Sequence, residues 1–344
     1  MTTQSNSGQK SAPLKNSKSG HWSQVSEAGA ITGMRFLLGC YKLGGRPLFK
    51  LVLLPVISYF FLFRHDARAA SIAYLRRIIR SGALPQTSSV YWLSVRHFWS
   101  FANALIDKFA VWMGQIPRAQ VEIHNDELIV QQMASKQGAI LIMSHLGNFE
   151  ICRCISSRHG SMRLTVLMHT KHALKFNRLM KEHASGSQLD ILQVTEITPA
   201  TAMMLSERIE RGEFIAIAGD RVAVNHPENA LVVDFLGDKA LLPIGPFTLA
   251  AILRAPLISL FCLRQDKGFH IYFEKLSDAI QVPRKAREAH LNQLAQTYAN
   301  QLEGHCQRQP LQWFNFFDFW RLHDQALPGN NEPPNPATES GSAK

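Results

Sequence analysis

Ala139-Ile140-Leu141-Ile142-Met143, followed at once by Ser144-His145-Leu146-Gly147-Asn148-Phe149-Glu150, is the stretch on which the fold turns. Five apolar residues without a polar break suit a strand covered on both faces, as in a parallel sheet layered between helices. Leu164–Met168, Phe214–Ala218 and the runs at 191–194 and 257–263 have the same character. Helical patterns lie between them. Thr198 is a suitable N-cap, with Pro199 at the first helical position, good helix formers over 200–211 and Gly212 to end the run. Gly245-Pro246 opens a second helix reaching Arg254, and Pro283 a third, polar on one face, reaching about Gln307. This alternation predicts an α/β fold with a mostly parallel or mixed central sheet flanked by helices.

In such sheets the working residues sit beyond the carboxyl ends of the strands. Two strand ends are rich in chemistry: the one leading into His145, and Gly219-Asp220-Arg221 after Phe214–Ala218. An imidazole titrates near neutrality and accepts a proton from an alcohol at pH 7. If the turn after His145 folds back, Glu150 accepts from the other ring nitrogen and fixes the tautomer. Spacing alone also allows a histidine that only caps the strand. There is no G-x-S-x-G, and Ser144, next to His145 on a strand, would point the other way, so a mechanism without a covalent enzyme intermediate fits better.

The chain has 344 residues, 46% of them apolar, which excludes a disordered protein and suits one main domain with an appendage. The first hundred residues hold 13 basic and 2 acidic side chains, so they carry the whole net charge of +11. A neutral body with a basic, aromatic front end argues for attachment to an anionic membrane surface and against a nucleic-acid partner. The five cysteines form no CxxC pair and read as reduced thiols; no metal is expected.

Residues 1–20 and 326–344 are polar and read as disordered tails. Residues 21–118 form a membrane-associated helical region and 119–325 the catalytic domain. The uncharged run at 51–63 has 13 residues, short of the roughly 20 needed to cross ~30 Å of hydrocarbon. Lys42, Arg46 and Lys50 precede it and Arg64, Arg68, Arg76, Arg77 and Arg80 follow it, so both flanks favour one anionic face. A hairpin or interfacial helix in one leaflet is therefore preferred to a full span or a buried core helix. No cleavable signal peptide is expected.

The Ser144–Glu150 block resembles the H-x4-(D/E) motif of the lysophospholipid acyltransferase superfamily, in particular the branch of the bacterial lipid A late acyltransferases. The order of features agrees over most of the chain: the basic apolar front end, Gly219-Asp220-Arg221, Asp234-Phe235-Leu236-Gly237, Pro243-Ile244-Gly245-Pro246, Pro256 and Pro310-Leu311-Gln312-Trp313-Phe314. The resemblance implies that His145 and Glu150 are catalytic, and that the donor is an acyl carrier protein or coenzyme A thioester. It further implies a lipid or glycolipid acceptor, with the enzyme at the cytoplasmic face of the inner membrane and no bound cofactor. Two features depart from the pattern: Leu242-Pro243-Ile244-Gly245 lacks the carboxylate of the glycerol-phosphate enzymes, and residues 313–320 are unusually aromatic, as in a branch associated with polyene or unusual lipids.

Arg221, Asp220, Asn148 and His169 are expected to bind substrate, Arg221 by gripping a phosphate. A metal pair of His169 and His172 is disfavoured for want of a third ligand, and Asn177 and Arg178 are placed in the same cleft. The aromatic cluster at 313–320 packs against the sheet or lines an acyl channel. Two rivals remain, an esterase or thioesterase using the same histidine and a membrane adaptor without activity.

Overall fold

A computed structural model describes residues 27–152, 155, 162–168, 189–193, 198–222, 229–266, 268–280 and 284–320; both expected tails lie outside these. Three helices lead, α1 (Glu27–Phe63), α2 (His65–Arg80) and α3 (Val90–Trp112). There follow β1 (Val121–His124), α4 (Glu127–Ala134), β2 (Ile140–Gly147), β3 (Leu164–Met168), β4 (Leu189–Gln193), α5 (Pro199–Glu210) and β5 (Phe214–Ala218). The rest comprises β6 (Ala230–Phe235), β7 (Asp238–Pro243), α6 (Gly245–Leu253), β8 (Leu257–Gln265), β9 (Gly268–Ser277) and α7 (Arg287–Arg308).

Seven strands form one sheet in the order β1-β9-β8-β2-β5-β3-β4, parallel throughout except between β8 and β9, so the sheet is mixed and flanked by helices as expected. The two-residue alternation of β2 builds two core layers. Ile140 and Ile142 pack with Phe261, Leu294 and Tyr298 on one face, and Leu141 and Met143 with Ile258 and Phe273 on the other. Strand β2 continues past Met143, where it was expected to end, through His145 to Gly147, and its register against β8 shifts within that extension. β6 and β7 make a separate hairpin closed by Leu236 and Gly237 at φ 53° and 82°, the pair of left-handed residues a two-residue turn requires.

Helix α1 kinks at Gly45 (φ 59°), just before Pro47. Its residues Tyr41, Phe49, Leu53, Ile57 and Phe61 recur at multiples of four and pack on Phe98, Ala102, Ile106 and Phe109 of α3. The stretch Phe36–Phe63 is long and apolar enough to cross a membrane, with only 22% of its apolar window buried. The cations that divide it in sequence do not end the helix, because Arg46 turns to the body and pairs with buried Asp107 at 2.8 Å. Leu51, Leu54, Tyr59, Leu62 and Phe63 are left exposed, with Tyr91 and Trp92 of α3.

His97 ties these helices to the C-terminal segment. Its Nε2 lies 2.9 Å from the Trp313 carbonyl and its Nδ1 3.0 Å from Ser71 Oγ. A carbonyl only accepts, so Nε2 carries the proton and Nδ1 accepts from the serine. Burial pushes the ring from 6.5 down to about 4, against the opposing effect of the Trp313 carbonyl. Between those values the unfolded chain binds a proton that the folded chain refuses, so stability is intact above pH 6.5 and falls as the pH drops towards 4. The loss is on the order of 3 kcal/mol. Thermal melts across this window should show the decline, and His97→Gln should flatten it; an equally steep decline in the variant would assign it elsewhere.

Candidate active site

The site stands where β2 and β5 end side by side. Gly219 N donates to the Met143 carbonyl at 2.8 Å, and Tyr298 Oη donates to the same oxygen at 2.8 Å. A Cβ on Gly219 would come within 2.4 Å of the Ile142 side chain, which would have to shift to admit a larger residue. The pairing sets Asp220 against His145, 75 positions away in sequence.

Asp220 is fully buried and its carboxylate takes three donors. His145 Nδ1 lies 2.8 Å from Oδ1, while the His145 backbone N–H and Trp313 Nε1 reach Oδ2 at 2.7 and 3.0 Å. Burial alone would raise this carboxyl; the His145 charge and hydrogen bonds, with Arg221, outweigh it and hold the group below the usual carboxylate range. An ionised carboxylate only accepts, so Nδ1 carries a proton, and in the neutral ring Nε2 keeps its lone pair. The His145 side chain is 35% exposed.

One expectation changes here. The carboxylate on the His145 ring is that of Asp220, where Glu150 was expected. Asp220, expected among the substrate-binding residues, is buried and its carboxylate accepts from three protein donors. Glu150 sits in a tight 3-10 turn, Phe149–Cys152, that carries its carboxylate inward to accept from Trp112 Nε1 at 3.1 Å.

Other expected residues separate. Arg221 bends onto the C-terminal segment, where Nη2 donates to the Phe314 carbonyl at 3.1 Å and the guanidinium lies over the Phe317 ring. Burial lowers its pKa, against the raising effect of Asp220. Asn148 is buried; its Oδ1 accepts from Glu150 N at 3.2 Å and its Nδ2 has no partner among the described residues. His169, His172, Asn177 and Arg178 lie outside the described residues. Trp313, Phe314, Phe319 and Trp320 are buried, the packing role expected of the aromatic cluster. The segment runs beside the site, with Phe314 N donating to the His145 carbonyl and Gly147 N to that of Gln312.

Sequence reading missed what α3 brings. Trp112, four residues after Lys108 and so on the same helix face, donates to Glu150. Lys108 keeps part of its surface; burial lowers its pKa, the Glu150 charge opposes this and Arg221 adds to it. Gly147 has φ 75°, and a Cβ there would meet the Cys262 carbonyl at 1.9 Å, so the turn after His145 excludes any other residue.

Beside the turn lies a cavity of about 400 Å³, lined by Gly147 and Asn148, by Arg46 and Lys50 of α1, by Arg96 and Asp107 of α3, and by Arg264 and Asp266. As for metals, Glu122, His124 and His270 bring their ligand atoms within 4.8 Å of one another on β1 and β9, at the sheet edge. The His124 and His270 rings are nearly parallel (12°), with centroids 5.2 Å apart and facing nitrogens 2.9 Å apart, close enough to share one N–H···N bond.

The model of the bacterial lipid A biosynthesis acyltransferase family matches residues 90–322. Among curated proteins the chain is similar to a phosphatidylinositol mannoside acyltransferase of Mycobacterium tuberculosis (strain ATCC 25618 / H37Rv), 24% identical over 143 residues, 41% of this chain and 44% of that protein. The protein of the same description from strain CDC 1551 / Oshkosh matches to the same extent. The aligned part thus spans less than half the length of these relatives.

Proposed function

The chain belongs to the bacterial lipid A biosynthesis acyltransferase family, and from that premise we propose that it moves a fatty or polyene acyl chain from an acyl carrier protein or coenzyme A thioester to a hydroxyl or amine of a lipid or glycolipid. One observation carries the mechanism: the buried Asp220 carboxylate holds the Nδ1 proton of His145 and leaves Nε2 free. In the proposed reaction Nε2 takes the proton of the acceptor group as its oxygen or nitrogen attacks the thioester carbonyl. The oxyanion that forms is stabilised by backbone N–H groups or the Arg221 charge. Collapse breaks the carbon–sulfur bond, and the thiolate leaves with the proton from the imidazolium, giving the ester or amide and a free thiol. Asp220 stabilises the imidazolium in between. Glu150, bonded to Trp112, positions the turn that carries His145.

The exposed apolar face of α1 supports attachment to the inner membrane, with the site on its cytoplasmic side among anionic lipids. The direct test is thiol release from an acyl-coenzyme A or acyl carrier protein donor by the purified full-length protein, with and without added membrane lipid. Release should depend on the lipid, which should gain the acyl chain. Equal release without lipid would identify a thioesterase acting through the same histidine.

A further inference from the structure

The cavity beside the catalytic turn is assembled from two parts of the chain. Gly147 and Asn148 belong to the turn, whereas Arg46 and Lys50 come from α1, upstream of the stretch matched by the family model. Its charges fall into two groups. Arg46 and Arg264 both spend a nitrogen on Asp107, which is buried between them, so this trio is a fixed brace. Lys50 and Arg96 line the same cavity with no acidic partner among the described residues. Asp266 is the remaining carboxylate, and four cations against two anions leave the cavity positive. Asn148, which also lines the cavity, adds an independent sign: its Nδ2 is buried and donates to nothing among the described residues. A buried donor is normally satisfied, so this one is waiting for an acceptor.

An ammonium, a guanidinium and an amide N–H are all donors, and the complementary ligand offers only acceptors and negative charge. A volume of about 400 Å³ is larger than a bare anion requires and falls in the range of small-molecule sites. We infer that Lys50, Arg96 and Asn148 form a subsite for a phosphate-bearing part of a substrate, and that helix α1 builds this subsite as well as any membrane contact. Which substrate supplies the phosphate rests on the acyltransferase reading: the donor, whose pantetheine arm and nucleotide carry phosphates, or the head group of a lipid acceptor.

Binding without turnover tests the subsite separately from the reaction. The full-length protein in detergent is titrated with coenzyme A, inorganic pyrophosphate and glycerol 3-phosphate, and so is Lys50→Gln/Arg96→Gln, whose exposed side chains leave the core and the Asp107 brace intact. The double variant should bind at least one probe about tenfold or more weakly, and added salt should weaken the wild type more than the variant. Loss confined to coenzyme A and pyrophosphate assigns the subsite to the donor, and loss of glycerol 3-phosphate to the acceptor. Equal binding of all three probes by both proteins, or binding of none by the wild type, would overturn the inference. A protein that binds through these residues yet transfers no acyl chain would instead refute the acyltransferase reading alone.

Discussion

His145→Ala is expected to fold and to transfer acyl chains about 10²- to 10⁴-fold more slowly than the wild type, the range a positioned general base contributes. The ring is partly exposed, and among the described residues its hydrogen bond is the one from Nδ1 to Asp220, so its removal leaves the core packing untouched. The Asp220 carboxylate keeps the backbone N–H of residue 145 and Trp313 Nε1 as donors, and the cost to stability is that of one charge-assisted hydrogen bond, about 1.5–3 kcal/mol. Circular dichroism and a melt beside the rate measurement separate the two effects. A folded variant with the wild-type rate would remove His145 from the chemistry.

Asp220→Asn should cost nearly as much activity for a different reason. Both donors on Oδ2, His145 N and Trp313 Nε1, require an oxygen there. The new amide must then turn its NH₂ towards His145 Nδ1, which can only answer as an acceptor. The ring proton moves to Nε2, the nitrogen that should take the acceptor's proton. The imidazole keeps its place but has the wrong tautomer, and transfer falls by about 10²–10⁴. Nitrogen-15 chemical shifts of the His145 ring report the switch directly, as protonated Nδ1 in the wild type and protonated Nε2 in the variant. Identical tautomers in both would refute the explanation.

Strands covered on both faces were legible in sequence: the runs 139–143, 164–168, 214–218 and 257–263 fall in β2, β3, β5 and β8, and Thr198-Pro199 opens α5. β1 and β9 were not. Every second residue of β9 from Phe269 to Phe273 is buried and those between are partly exposed, so β9 presents no unbroken apolar run, and β1 is four residues at an edge. His145 was legible because a histidine at a strand end beside an obligate glycine stands out. Its partner was not, since Glu150 is close in sequence whereas Asp220 becomes a neighbour only through the β2–β5 pairing. Asp220 was picked out at its strand end but given to the substrate, because exposure cannot be read from a tripeptide. In α1 the cations broke the apolar run on paper, and the Asp107 that accommodates Arg46 lies 61 positions away.

The central claim is that Asp220, and not Glu150, makes His145 a base for acyl transfer, and a side-by-side measurement of lipid-dependent thiol release by Asp220→Asn and Glu150→Gln tests it most directly. The account predicts that Asp220→Asn loses about 10²-fold or more, while Glu150→Gln, still able to accept from Trp112, keeps a clearly higher rate. A near-silent Glu150→Gln beside an active Asp220→Asn would contradict it.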